Sequence, residues 1–165
     1  MQFAFTEEQQ QFRHVVRRFL RDTSPTTEVR RLMETDDGFD VGIWQRLSHE
    51  LGLSGLAIPE AYGGAGFGMV ELCIAMEEMG RALLCAPFLS TSVLAAKAIE
   101  HVASEDQKAR LLPALAAGDR IATLATTEPD GNPGLEAVAL TADTGDDGFV
   151  LNGRQKFVVD GCSAD

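Results

Sequence analysis

The chain is short of basic residues. Its 165 residues contain 14 lysines and arginines against 25 aspartates and glutamates, which gives a formal net charge of −11. Nucleic acids and anionic membranes attract basic surfaces, so this balance argues against both as direct partners. A small anionic ligand is still compatible with it, because a local pocket can oppose the overall field.

Long apolar runs and cysteine patterns are also missing. No apolar run approaches 18 residues, so no transmembrane helix is predicted. The N-terminus, MQFAFTEEQQ, lacks the basic start and apolar middle of a signal peptide. Cys73, Cys85 and Cys162 are widely spaced and odd in number, which predicts neither a metal site nor a disulfide framework. We therefore expect a reducing, cytoplasmic location, with Cys85 as a small buried apolar side chain.

The first part of the chain has the pattern of a helical domain. Apolar residues at helical spacing predict helices over residues 6–22, 27–34, 40–51, 69–80, 90–102 and 104–118. Side chains suited to helix ends stand at Thr6 with Gln9, Ser104 with Gln107, Asp40, Gly52 and Gly118. Pro113 lies inside the last pattern and predicts a kink or an early end there.

The character of the sequence changes at about residue 120. Residues 121–127 predict a strand, and residues 138–142 alternate as in a half-buried strand. Residues 149–151 and 154–159 flank Asn152-Gly153, which predicts a tight hairpin turn. Three or four strands make a poor independent sheet, so we expect the chain to belong to something longer.

The predicted fold class is therefore α+β. An all-α helical domain is expected over residues 1–118. The start of an incomplete antiparallel β domain is expected over residues 119–165.

Two possible site signals have simpler explanations. The glycine-rich run GGAGFG at 63–68 does not fit a dinucleotide-binding loop, because Met69 stands where the third glycine would be. We interpret it as a flexible connection before a helix. His14, His49 and His101 lie on separate predicted helices without a partner at a metal-ligand or nucleophile spacing, so we expect them on solvated faces.

The stretch LATTEPDGNPG, residues 124–134, leaves two interpretations open. It is either a strand that ends because Pro129 cannot continue a ladder, or an edge that holds a ligand. The end of a strand leaves backbone N–H and C=O groups unpaired, and Thr126 and Thr127 add hydroxyls. A flavin ring has alternating donors and acceptors along such an edge, and the aromatic ring of Phe157 could cover its face.

Four segments resemble, in the same order, motifs of one enzyme family. They are FTEEQQQFRHVVRRFL, GLSGLAIPEAYGGAGFG, LATTEP, and LTADTGDDGFVLNGRQKFVVDGCSAD. They are similar to the opening helix, the P-E-x-Y-G-G-x-G signature, the T-E-P motif and the L-N-G-x-K segment of the acyl-CoA dehydrogenases. The resemblance covers nearly the whole chain.

The resemblance implies a fold, a cofactor and a reaction. The family has a helical N-terminal domain, a middle β domain and a C-terminal helical domain, with FAD between the last two. It implies α,β-dehydrogenation of an acyl-CoA thioester, with electrons passed to an electron-transfer flavoprotein, in a homo- or heterotetramer. The catalytic glutamate would lie in the C-terminal domain, so the resemblance assigns no catalytic residue and no metal ligand to these 165 residues.

The resemblance also assigns binding positions. Leu124, Thr126 and Thr127 fall at flavin-contacting positions. Phe157 takes the place of a tryptophan beside the flavin, and Val159 that of a threonine near flavin N5. Pro133 stands roughly where a serine contacts the substrate or a flavin phosphate.

Three of these positions depart from the family pattern: Phe157 can still stack, but at Pro133 and Val159 a polar contact is lost. Proline offers neither an N–H nor a hydroxyl, and valine offers no hydrogen bond. They support an alternative, a non-catalytic or degenerate partner subunit of a heteromeric acyl-CoA dehydrogenase. A helical interaction domain with a β appendage also explains the composition, but not the order of the motifs.

Overall fold

The structure, a computed structural model, describes residues 4–130, 138–145 and 148–165. It is mostly helical with a two-stranded antiparallel sheet, which confirms the α+β class. The helices are α1 (Glu7–Thr23), α2 (Thr26–Leu32), α3 (Val41–His49), α4 (Met69–Ala82), α5 (Ala96–Val102) and α6 (Glu105–Ala117). The strands are β1 (Thr141–Gly145) and β2 (Gly148–Asn152), and a 3₁₀ turn covers Glu60–Tyr62. Among the described residues, no helix has the length and apolarity that a membrane span needs.

The predicted helix starts are confirmed. The Thr6 hydroxyl accepts from the backbone N–H of Gln9, and the Gln9 side chain accepts from the N–H of Thr6, which makes a complete capping box. Ser104 and Gln107 repeat this arrangement at α6. The Asp40 carboxylate caps α3 at a distance of 3.0 Å from the Ile43 nitrogen.

The end of α6 confirms one expectation and corrects another. Gly118 caps the helix in the left-handed conformation, with φ of 76°. Pro113 does not end the helix, which continues to Ala117. The indole Nε1 of Trp44 donates to the Gly118 carbonyl at 2.8 Å and ties this helix end to α3.

The main core lies where α1, α3 and α4 meet the segment 53–57. Its buried side chains are Val16, Phe19, Leu20, Trp44, Leu47, Leu53, Leu56, Ala57, Leu72, Ala75, Met79 and Phe88. A second cluster joins α5 and α6 through Ile58, Ala96, Leu112, Leu115 and Ala116. Both clusters lie within the helical part and support the segments that follow it.

The predicted helix over 90–102 is only partly α-helical. Leu89–Ala95 forms a π-helical turn that runs directly into α5. The hydroxyls of Ser90 and Thr91 donate to backbone carbonyls, and such bonds compete with the regular α-helical pattern. The hydroxyl of Thr91 donates to the Ala122 carbonyl at 3.1 Å and accepts from the Ala122 N–H at 3.2 Å. This π-helical turn therefore anchors the chain where it leaves the helices.

The glycine-rich run 63–68 is not the loose connection that we expected. Gly64 donates to the Pro59 carbonyl at 3.2 Å, and Gly66 donates to the Ile58 carbonyl at 2.9 Å. A Cβ atom on Gly64 would lie 2.0 Å from the Ile58 carbonyl oxygen. The run is therefore packed against the preceding segment, and Gly64 is required by close backbone approach.

The predicted strand over 121–127 is wrong. The segment has no ladder and belongs to no strand. Its hydrogen bonds go to a distant segment, with the Lys156 N–H donating to the Thr127 carbonyl at 2.8 Å and the Asp165 N–H to the Ile121 carbonyl at 2.9 Å. Isolated bonds of this kind hold two segments of the chain side by side without forming a regular sheet.

The predicted hairpin at Asn152-Gly153 is also wrong. Asn152 pairs with Thr141 and ends β2, and 154–159 is not a strand. The strand that does pair with β2 is β1, with Gly145 opposite Gly148. The strand expected over 138–142 is found only from residue 141 onward, as β1, and its expected half-burial is wrong because all ten residues of the two strands are exposed.

Candidate functional site

The candidate site is built on the irregular segment 121–128, which follows the helices. In the described ranges, the backbone N–H and C=O groups of Leu124, Ala125 and Thr126 have no hydrogen-bond partner. Leu124 is 41% exposed, and the threonines that follow it are half-buried. The segment therefore presents an open polar edge, although it is not a strand.

A second segment lies beside this edge. The Thr123 hydroxyl donates to the Val159 carbonyl at 2.6 Å. Together with the bond from Lys156 to Thr127, this contact brings 156–159 alongside 123–127. The structure thus brings together two segments whose bonded residues are 29 and 36 positions apart in the sequence.

Phe157 presents its ring to the surface. It is 81% exposed and has a positive φ of 53°, which is uncommon for a residue with a bulky side chain. The exposed ring can stack on a planar ligand at little cost to the core. Val159, 44% exposed, offers an apolar side chain with no donor or acceptor.

Glu128 is the residue that sequence reasoning missed. It is 4% exposed, and its Oε1 accepts from the Ala139 N–H at 3.0 Å and from Gln155 Nε2 at 2.7 Å. The available signal was an acid placed between two threonines, which end an apolar run, and Pro129. An acid at that position is buried only where the fold supplies donors for it.

The other residue types are accounted for in the described part of the chain. His14, His49 and His101 are exposed, as expected, and no group of three metal-ligating side chains is found there. Cys85 is half-buried rather than fully buried, and this partial burial raises the pKa of its thiol. Pro133 lies outside the described residues.

The chain belongs to the acyl-CoA dehydrogenase family. Residues 6–119 match the family model described as "Acyl-CoA dehydrogenase, N-terminal domain". The match covers the helical part, from the first capping residue to just past the end of α6.

Three similar proteins illustrate this membership. Mitochondrial isovaleryl-CoA dehydrogenase of Arabidopsis thaliana is 33% identical over 98% of this chain and 40% of its own length. The ChsE4-ChsE5 complex from Mycobacterium tuberculosis matches at 28% identity and a TM-score of 0.87, over 100% of this chain and 44% of that one. An acyl-CoA dehydrogenase complexed with FAD from Bacillus anthracis matches at 27% identity and a TM-score of 0.82, over 94% and 27%. The chain spans about two fifths of the length of the curated relatives it matches.

Proposed function

We propose that this chain forms the N-terminal portion of an FAD-dependent acyl-CoA dehydrogenase that removes two hydrogens from the α and β carbons of an acyl-CoA thioester. The observation that carries the proposal is the open polar edge at 124–126 beside the exposed ring of Phe157. Family membership supplies the reaction class.

The edge suits the rim of a flavin ring. An isoalloxazine presents alternating donors and acceptors along one side, and unpaired backbone groups are matched to such a row. Leu124, Thr126 and Thr127 would supply these contacts. The backbone groups of Leu124 and Thr126 have no competing partner within the described chain, so binding would satisfy them without breaking a bond. At Thr127 the carbonyl already accepts from the Lys156 N–H, which leaves its N–H and its hydroxyl for a ligand.

The face of the flavin would be covered by Phe157, with Val159 near N5. A bound flavin supplies the acceptor for a hydride from the β carbon. The side chains of this chain bind and orient the ring, and the apolar surface of Phe157 and Val159 excludes water from it. We assign the catalytic glutamate to a C-terminal domain and none of the catalytic groups to this chain.

The remaining parts of the proposal concern organisation. We propose residues 1–118 as the helical domain and 119–165 as the start of the middle β domain. Pro133 is the proposed contact for the acyl-CoA. An electron-transfer flavoprotein is the proposed electron acceptor, a homo- or heterotetramer the proposed assembly, and the cytoplasm the proposed location.

The full protein that carries this sequence provides the test. FAD is titrated into it, and the flavin absorbance is followed while butyryl-CoA, octanoyl-CoA or isovaleryl-CoA is added without oxygen. We expect a yellow protein whose absorbance is bleached by at least one thioester. A protein that stays colourless with excess FAD would contradict the proposal. The 165 residues alone are expected to bind FAD weakly or not at all.

A matched pair of variants locates the site. Phe157→Ala should weaken FAD binding about three- to tenfold, since an aromatic stacking contact contributes about 0.5–1.5 kcal/mol. Phe149 is similarly exposed, at 74%, but lies on β2, so Phe149→Ala should leave the affinity unchanged. If the two substitutions weakened FAD binding equally, Phe157 would not be part of the flavin site.

The second candidate function is a degenerate partner subunit of a heteromeric acyl-CoA dehydrogenase. Val159 favours it, because a valine cannot make the hydrogen bond to flavin expected from a threonine. A similar solved structure is itself a complex of two named proteins, ChsE4 and ChsE5. Purification of the full protein alone separates the candidates, because a degenerate subunit gains dehydrogenase activity only with a second family member present.

A further inference from the structure

Glu128 is a buried carboxylate for which the proposed function has no use. It is 4% exposed and accepts hydrogen bonds from a backbone N–H and a side-chain amide. Among the described residues, no lysine, arginine or histidine forms an ion pair with it. Burying a carboxylate without a cation is costly, so its position calls for a physical reason.

Three consecutive residues are tied to the same neighbouring dipeptide. The Thr127 carbonyl accepts from the Lys156 N–H at 2.8 Å, and the Pro129 carbonyl accepts from Lys156 Nζ at 2.8 Å. Between them, Glu128 accepts from Gln155 at 2.7 Å. We call Glu128, Gln155 and Lys156 the clamp.

The clamp lies between the two halves of the candidate flavin site. On one side, the bonded residues 127–129 directly follow the open edge at 124–126. On the other side, Gln155 and Lys156 directly precede Phe157. A shift of 155–156 along 127–129 would therefore move the ring relative to the edge. Glu128 also accepts from Ala139, which joins a third segment to the same point.

The geometry points to Glu128 as a positioning residue of the flavin site: through Gln155 it holds the Phe157 ring in register with the open edge at 124–126. This inference rests on the proposed function. A purely structural Glu128 would stabilise the segment in the same way whether or not a flavin is bound. A positioning Glu128 also determines the environment of the bound flavin, because sites held loosely by their supporting residues lose affinity.

The test uses the full protein that carries this sequence. The variants are Glu128→Ala, which removes both hydrogen bonds, and Glu128→Gln, whose amide oxygen can still accept from both donors. Gln155→Ala removes only one of the bonds. Glu34→Ala serves as the matched control, because Glu34 is exposed and its side chain forms no hydrogen bond or ion pair within the described chain. FAD affinity is measured by fluorescence titration, and the visible circular dichroism of the bound flavin reports its environment.

We expect Glu128→Ala to weaken FAD binding about tenfold or more and to change the visible dichroism of the bound flavin. Glu128→Gln should stay within about threefold of the wild type, with the wild-type spectrum. The control should be unchanged. Where Glu128→Ala does not fold, Gln155→Ala should show the weaker binding and the altered spectrum.

The outcomes separate this inference from the proposed function. Wild-type affinity and spectrum in both Glu128→Ala and Gln155→Ala would overturn the positioning role of Glu128 and leave the proposed function intact. Weaker binding with an unchanged flavin spectrum would overturn it too, because that is the result of a structural role. A wild-type protein that does not bind FAD would overturn the proposed function, and with it any role of Glu128 toward a flavin.

Discussion

Arg17 and Glu78 join α1 to α4 through two hydrogen bonds, from Nε to Oε2 at 2.9 Å and from Nη2 to Oε1 at 2.5 Å. Arg81 adds a third bond to the same carboxylate, which is almost completely buried. The hydrogen bonds from Arg17 have the largest effect on the pKa of Glu78, and the bond from Arg81 adds to it. Together they lower this pKa to about 2 from an ordinary value of 4.5. This charged cluster lies at the interface between the two helices that build much of the main core.

The first prediction concerns acid stability. A carboxyl group with a lowered pKa in the folded state stabilises the fold above its unfolded pKa and loses that contribution as pH falls toward its folded pKa. We expect Glu78→Gln to reduce the free energy of unfolding by about 2–3 kcal/mol at pH 7, since it leaves two half-exposed arginines without their charge partner. The difference from wild type should shrink between about pH 5 and pH 2, measured by urea unfolding.

Glu77 provides the control for this experiment. Its carboxylate is 60% exposed and pairs across the same two helices, with Arg13 of α1 at 2.8 Å. Exposed ion pairs contribute little, so Glu77→Gln should cost less than about 1 kcal/mol. A Glu78→Gln protein as stable as the Glu77→Gln protein at pH 7 would contradict the importance of the buried pair.

The second prediction separates two reasons for glycine in one run. Gly63 has a φ of 82° with open space around it, whereas a Cβ on Gly64 would meet the Ile58 carbonyl. Gly63→Ala should therefore cost about 1 kcal/mol of stability, for the strained backbone alone. Gly64→Ala should cost about 2–3 kcal/mol, because the backbone must move apart. Thermal unfolding measures both, and the reverse order would contradict the close approach.

The third prediction is a stabilising substitution at the end of α4. Leu83 caps this helix in the left-handed conformation, with φ of 52°, and its side chain is 62% exposed. Leu83→Gly should stabilise the protein by about 0.5–1 kcal/mol, because it relieves the strain and loses little burial. The same change at Leu111, inside α6, should destabilise by about 1 kcal/mol. Chemical unfolding measures both variants. If both substitutions changed the free energy of unfolding in the same direction, this account would be contradicted.

The helical part could be predicted because its signals are local. A capping box such as Thr6 with Gln9 spans four residues, and the apolar period of α1 is visible within one stretch of sequence. The glycine-rich run was predicted less well. Its partner residues lie only a few positions earlier, but a glycine required for close approach has the same letter as one required for flexibility.

The region after 120 was predicted poorly because its contacts are distant in sequence. Ile121 bonds to Asp165 through both its N–H and its carbonyl, over a separation of 44 residues that no periodicity can indicate. The hairpin was misplaced because two turn signals compete. Asn152-Gly153 and Asp147-Gly148 both suit a tight turn, and only the pairing of β1 with β2 decides between them.

The candidate site was found by the same kind of reasoning, with the same limit. Leu124, Thr126 and Thr127 follow one another, so the sequence could predict an edge there. The buried contact between Glu128 and Gln155 crosses 27 residues. Neither residue belongs to a pattern that predicts the burial of Glu128 or its contact with Gln155, and the clamp therefore became visible only in the structure.

The last prediction tests whether Val159 limits the site. Val159→Thr would place a hydroxyl where the proposed flavin lacks a partner, with almost the same side-chain shape. If the chain forms a working flavin site, the added hydrogen bond should tighten FAD binding about three- to tenfold, since such a bond contributes about 0.5–1.5 kcal/mol. Val150→Thr is the matched control, because Val150 is 55% exposed on β2 and should not change the affinity. A full protein that gains acyl-CoA oxidation only in the Val159→Thr variant would favour the degenerate partner subunit, whereas equal turnover in wild type and variant would show that the flavin reacts without this hydrogen bond.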